Sequence, residues 1–282
     1  ILVTVITKAT PLVDRYLASE FHPGSISHLN YAFKIVTVIA ALVSIGLSTV
    51  IFPRMAQDVA QSNLTALRST LSHGLRLMWI LTAPIISIGF SLALPIVILL
   101  FKRGAFNDAD VQVVTGLLRI YVFGVFGMAL GNVTSKGFYV LKDTRTLALV
   151  GIFEAVSYVV YTVLMTKYLG LQGIAIGCVI YCTVAVVWQV VVLNFKTGGH
   201  SGRVVVVSYL KTAFAALLAG IVSYFISLSS LDNIPKIALG SFLGMVSYMI
   251  VLKIVRSEEL NLIWELVCNV FNPKAENSVQ TK

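Results

Sequence analysis

The sequence predicts an all-α fold, a polytopic bundle of eight membrane-spanning helices. Three observations carry this. Of 282 residues, 57% are hydrophobic and only 12% are charged, whereas a soluble domain carries about 25% charged residues. The mean hydropathy is +0.90. The apolar residues also fall into eight long stretches parted by short polar links. Most of these are long enough, at about 1.5 Å per residue, to cross a bilayer core of about 30 Å. The formal charge of +9 therefore reads as basic residues gathered in cytoplasmic loops. No nucleic-acid partner is expected.

The first stretch, Ile1–Ser19, is the most polar, holding Lys8, Asp14 and Arg15, with Pro11 expected to bend it. Lys8 and Arg15 are seven apart and share a helix face. Ionisable residues in spans usually face a bundle interior or a watery cavity, so this face is expected to line one. Tyr31–Phe52 is almost wholly apolar apart from Lys34 near its start, and Pro53-Arg54 should stop it at a membrane face. Ala56–Gly74 has the pattern of an amphipathic helix lying on the inner surface.

The third span, Leu75–Phe101, should kink at Pro84 and Pro95 and ends in the basic Lys102-Arg103. Asn107 or Asp108 can cap the next helix, with Asp110 in its first turn. The fourth span, Val111–Leu141, contains Arg119, and the fifth, Leu147–Tyr168, contains Glu154. Gly170–Phe195, Val204–Leu228 and Ile237–Val255 complete the eight. A second surface helix is expected over Glu258–Phe271, followed by a disordered tail. The pairs Gly127/Gly131, Gly173/Gly177 and Gly240/Gly244 have the spacing that lets helix backbones approach.

Loop charges set the orientation. With both ends cytoplasmic, the inner side holds twelve basic residues, from Arg54 to Lys282, against Lys102, Arg103, Lys167 and Lys236 outside. Lys102-Arg103 breaks the trend and asks for a local reason. The chain starts at Ile1 inside an apolar run without a signal-peptide pattern, so a truncated N-terminus is expected.

Catalytic chemistry finds little support. His22, His28, His73 and His200 are scattered, and no metalloprotease, phosphate-loop or aspartate-rich metal motif is present. Neither a catalytic residue nor a metal ligand set can be named, and no cofactor is expected. Cys178 and Cys182 lie four apart on one predicted helix and read as small packing residues, with no disulfide framework implied. What remains is an intramembrane polar set in which cations outnumber carboxylates. Lys34, Lys8, Arg15 and Arg119 would suit a phosphate-bearing anion. Asp14 and Glu154 are candidates for ion or proton coupling, with a coupling ion or the membrane potential as the energy source.

Four stretches then fall into one pattern: VDRYLASEFHPGSISHLNYAFKI from Val13, STVIFPRMAQ from Ser48, LLFKRGAFNDAD from Leu99 and GFYVLKDTRT from Gly137. In this order they resemble the MurJ (MviN) family of lipid II flippases, within the multidrug/oligosaccharidyl-lipid/polysaccharide exporter superfamily. The resemblance is good over Val13–Asn194 and positional over the last two spans. It implies two six-helix lobes around a cationic cavity plus two extra helices that groove a lipid tail. This chain would supply the second lobe (1–196), the extra helices (197–256) and a surface helix with tail (257–282). Its partners would be a lipid-linked glycan precursor, membrane lipids and the first lobe of the same protein. The place would be the bacterial cytoplasmic membrane. The family often has arginine at Lys34, an acidic residue at Thr37 and proline at Leu147. The implied activity is transfer of a polyprenyl-pyrophosphate-linked cell-wall precursor from inner to outer leaflet by alternating access. Its rivals are a drug or small-solute exporter of the same superfamily and a non-transporting scaffold of glycan assembly.

Overall fold

The computed structural model describes residues 2–198 and 202–255, and the side chains of 11–198 and 206–255. Among these residues every regular element is an α-helix. In order they are α1 (Leu2–Ser19), α2 (Ser25–Ala60), α3 (Leu64–Ser91), α4 (Ala93–Phe101) and α5 (Asp108–Tyr121). Then come α6 (Gly124–Val140), α7 (Thr144–Leu169), α8 (Leu171–Thr197), α9 (Gly202–Ser227) and α10 (Asn233–Ile254). Among the described residues six helices are long and apolar enough to cross a membrane: α2, α3, α7, α8, α9 and α10. The α5–α6 pair, bent by 43°, can make a seventh. α1 carries three charged residues in its 18 and does not join them.

Three expectations are corrected here. Pro53 does not end α2, which continues as one helix to Ala60. A proline inside a helix removes one backbone donor, a loss that membrane helices tolerate when neighbouring groups re-satisfy the freed carbonyl. The surface helix expected over Ala56–Gly74 is therefore not an element of its own. Its first residues belong to the end of α2, and the rest form the start of α3, capped by Asn63 accepting from the Ala66 amide at 3.0 Å. Third, the fourth span is not one straight helix but two, broken at Val122–Phe123. The second surface helix, the tail and Cys268 lie outside the described residues.

The two prolines of the third span act differently. α3 runs through Pro84 unbroken, and the chain breaks at Leu92 instead. Pro95 falls in the first turn of α4, where its missing amide would have had no helical partner in any case. Pro84 leaves the Ile80 carbonyl without its i+4 donor. The Tyr248 hydroxyl of α10, wholly buried, donates to that carbonyl at 2.8 Å.

α9 and α10 pack on each other and on α3. The seam is made of hydroxyls donating to backbone carbonyls: Ser87 to Ala216, Ser91 to Gly220 at 2.8 Å and, within the hairpin, Ser223 to Gly240 at 2.8 Å. Three glycines permit the contact. A Cβ on Gly220 would strike Ser87, one on Gly240 would lie 2.9 Å from Leu92, and one on Gly244 would strike Ser223. Elsewhere a Cβ on Gly127 would lie 2.6 Å from the Cys182 carbonyl, pinning α6 to α8. On Gly177 it would lie 2.6 Å from the Thr162 Cα, pinning α8 to α7. Gly131 is the exception, meeting only Val186 at an ordinary 3.7 Å.

The buried core is divided. One cluster joins α1, α2, α4, α5 and α8 around Tyr121 and Tyr158, and a second joins α2, α3 and α6 around Met55 and Met78. A third, of small residues, sits under α9 and α10. One hollow borders the first cluster, and another lies between the first and the third.

Candidate functional site

The first hollow is a cleft of about 430 Å³ walled by α1, α2, the α5–α6 bend, α7 and α8. Its polar lining is Asp14 and Arg15 from α1, Asn30 and Thr37 from α2, Asn132 from α6 and Tyr158 from α7. Cys178 and Cys182 of α8 form part of the floor. Asp14 is half-buried and accepts a hydrogen bond from the Tyr158 hydroxyl, which ties α1 to α7. Arg15, the next residue, is exposed at the cleft.

The second hollow is an apolar groove of about 940 Å³ between α9 and the face made by α3, α6 and α8. Trp79, Phe90, Phe123, Phe126, Tyr209 and Tyr224 give it an aromatic wall. Trp79 stacks on Tyr209 with centroids 5.2 Å apart, and its indole donates to the Tyr209 carbonyl at 3.0 Å. The Ser87 and Ser91 hydroxyls on this wall are already used on α9 carbonyls, so the groove presents few free polar groups.

The cationic candidates are not all in one place. Arg15 lines the cleft. Lys34 is exposed and shares the helical stripe of Asn30, Thr37 and Ala41, but it stands outside the lining residues. Arg119 is outside the cleft altogether, with its guanidinium over the Phe90 ring at 5.6 Å and its buried Nε without a hydrogen-bond partner. The Lys8 side chain lies outside the described residues. Glu154 is also away from the cleft, against Tyr181 and Trp188. It accepts from the Gln189 amide at 2.8 Å, and the Gln189 carbonyl oxygen in turn accepts from Thr134. This relay crosses three helices from the buried Gln189 of α8.

Sequence reasoning missed Gln189, Asn30 and Asn132. Their signal was a side-chain amide within a long apolar helix, where a polar group must find a partner or a wet surface. It also did not join Tyr158 to Asp14, which lies 144 residues away.

The basic loop between α4 and α5 has a local structure. Asn107 caps α5, accepting from the Asp110 amide at 3.0 Å, while Asp110 accepts back from the Asn107 amide at 2.9 Å. The same Asp110 carboxylate meets His28 Nε2 at 2.8 Å, which joins α5 to the start of α2. Phe101 and Phe106 close over Tyr31, with ring centroids at 4.7 and 5.7 Å. Lys102 pairs with Asp108 at 2.6 Å. The motif therefore builds a folded corner.

A family model described as Lipid II flippase MurJ matches residues 1–242. The chain belongs to the MurJ lipid II flippase family. Among curated relatives it is 30% identical over 166 residues to a probable lipid II flippase MurJ of Vibrio cholerae, covering 59% of this chain and 32% of that one. It is 30% identical over 217 residues to a probable lipid II flippase MurJ of Haemophilus influenzae, covering 74% and 42%. The chain thus spans less than half the length of these relatives. Among solved structures, a lipid II flippase MurJ in an inward closed conformation superposes with a TM-score of 0.78 at 21% identity, covering 93% of this chain and 53% of that one. A multidrug resistance MATE transporter in an outward-facing conformation superposes with a TM-score of 0.58 at 15% identity, covering 95% and 66%. Both likenesses show a shared fold.

Proposed function

We propose that this chain is the second lobe, with two appended helices, of a flippase that moves a polyprenyl-pyrophosphate-linked cell-wall precursor from the inner to the outer leaflet. The single observation that carries the reading is the pairing of two unlike hollows on one lobe. A polar cleft with Arg15 at its edge suits a charged head group. A long aromatic groove behind α9 suits an isoprenoid tail that never leaves the apolar phase. Membership of a lipid II flippase family supports lipid II, or a close analogue, as the cargo.

In this reading α1, the bent α5–α6 pair and the six long helices make eight crossings. The polar face of α1 turns toward a first lobe carried by the same protein. Arg15, Lys34 and Lys8 contact the pyrophosphate. Arg119 stands beside the groove wall rather than in the head-group cleft. Asp14 and Glu154 are the protonatable groups available for coupling to an ion or to the membrane potential. The two lobes rock in alternating access around the cleft, a scheme shared by transporters built from repeats. Both ends lie on the cytoplasmic side of the bacterial inner membrane, and the chain has no catalytic step to perform.

Depletion of the intact protein in its host, with a hydrolase added from outside, tests the function. Lipid II that becomes inaccessible to the hydrolase supports the proposal, and a different lipid-linked glycan in its place changes the cargo only. If no polyprenyl-linked precursor changes side, the proposal is overturned. Under the same assay, Arg15→Ala and Lys34→Ala should each lower transport while leaving the amount of folded protein in the membrane unchanged.

A further inference from the structure

Cys178 and Cys182 sit one turn apart on α8, both buried and both unoxidised. Side chains four apart on a helix are neighbours, which sets these two thiols on one face of α8. They belong to the core cluster that joins α8 to α1, α2 and α5, at the point where that cluster borders a hollow. Both belong to the lining of the 430 Å³ cleft, on the wall shared with Tyr158 and Asp14. A hollow of this size lies within the range of about 300–1,000 Å³ that takes drug-sized ligands.

The geometry points to a dithiol site: Cys178 and Cys182 together capture a trivalent organoarsenical within the central cleft. The choice of ligand class follows from the donor set. Among the described residues no group of three or more His, Cys, Asp or Glu side chains is placed to hold a metal ion. Two adjacent sulfurs are too few for a tetrahedral zinc site. They suffice for an arsenic that already carries one carbon and needs two sulfurs to complete its pyramid. The reaction balances without an oxidant. Phenylarsine oxide and two thiols give two As–S bonds and one water, both thiol protons leaving on the arsenical oxygen, and arsenic stays trivalent throughout.

Chelation also separates this pair from Cys268, the third cysteine of the chain. A single sulfur holds the arsenical by one exchangeable bond. A second sulfur already in place closes the ring intramolecularly, which strengthens capture by about a hundredfold or more. The phenyl group would project into the cleft beside Asp14 and Tyr158 and occupy head-group space. That last consequence rests on the flippase reading, whereas the labelling does not.

The test treats the purified chain in detergent with a slight excess of phenylarsine oxide, followed by intact-mass measurement and peptide mapping. The expected result is one phenylarsenic per chain, located on the α8 peptide, removed by excess ethanedithiol and retained in Cys268→Ser. Cys178→Ser and Cys182→Ser should each weaken capture about a hundredfold. Absence of an adduct in the folded wild type overturns the site, as does an adduct that persists at full strength in either single variant. Should a variant fold poorly, the wild-type peptide map still decides, because an adduct mapped to Cys268 alone refutes the proposal. If the adduct forms as expected and transport by the treated protein is undiminished, the site stands and the head-group assignment of the cleft falls.

Discussion

The bond from Tyr248 to the Ile80 carbonyl makes a quantitative prediction. Pro84 cannot donate to Ile80, and the Tyr248 hydroxyl from another helix takes that place at 2.8 Å. Tyr248→Phe keeps the buried ring and removes only the donor. A buried acceptor left unpaired costs about 1–3 kcal/mol in soluble proteins, but interhelical hydrogen bonds in membranes average about 0.6 kcal/mol. Because the hydroxyl is wholly buried and its acceptor has no helical donor, a loss of about 1 kcal/mol is expected. Pro84→Ala supplies a new amide four residues after Ile80, which can satisfy the carbonyl within α3. In that background Tyr248→Phe should cost about half as much or less, giving a coupling energy of about 0.5 kcal/mol or more. Reversible unfolding in mixed micelles, run on all four proteins of the cycle, measures it. Equal losses in the two backgrounds would refute the claim that α10 compensates for the proline.

Three further outcomes are expected. Gln189→Leu removes the amide that bonds Glu154, and it should destabilise the fold by about 1–3 kcal/mol. Thr134 keeps its bonds to the Leu130 and Gly131 carbonyls, so in a double cycle with Glu154→Leu, which removes the acceptor, most of that loss should vanish, and an undiminished loss would contradict the relay. Gly177→Val places a Cβ 2.6 Å from the Thr162 Cα, so α7 and α8 must separate; a loss of about 1–3 kcal/mol is expected in the same unfolding assay, while Gly131→Ala should be nearly silent. Asp143, in the turn before α7, has its carboxyl held down at about 2 by its hydrogen bond from Lys196, helped by Thr146. Its folded value is depressed, so its contribution is complete above about pH 4, where the unfolded carboxyl is ionised, and fades as pH falls toward 2. Carboxyl NMR titration should show the low midpoint, and Lys196→Met should move it back up.

What the sequence could reveal depended on range. The spans at α7, α8, α9 and α10 were legible within a few residues, because each is a long apolar run bounded by glycine or polar links. Five of the six paired glycines could be read as close-contact points, since spacing along a helix determines which residues share a face. Pro53 was misread as a helix stop, because a proline's effect depends on what waits across the interface. Nothing near Pro84 in sequence announces Tyr248, 164 positions later. The bend at Val122–Phe123 has no proline to mark it. At the site, Asp14 and Arg15 were legible as polar residues in an apolar helix. The placement of Arg119 beside Phe90, and of Glu154 against Gln189, required knowing which helices meet.

The hydroxyl-to-carbonyl seam between α3 and α9 bears on how this part of the protein can change over time. Every residue of a helix has a carbonyl, so an acceptor on α9 survives almost any substitution there. Only the donors, Ser87 and Ser91, and the close-contact Gly220 are particular about identity. The exposed remainder of α9 is apolar and needs merely to stay so. Such an attachment tolerates wide sequence drift while keeping the register of the hairpin, and the groove it encloses can be reshaped without unmooring the helices that form it.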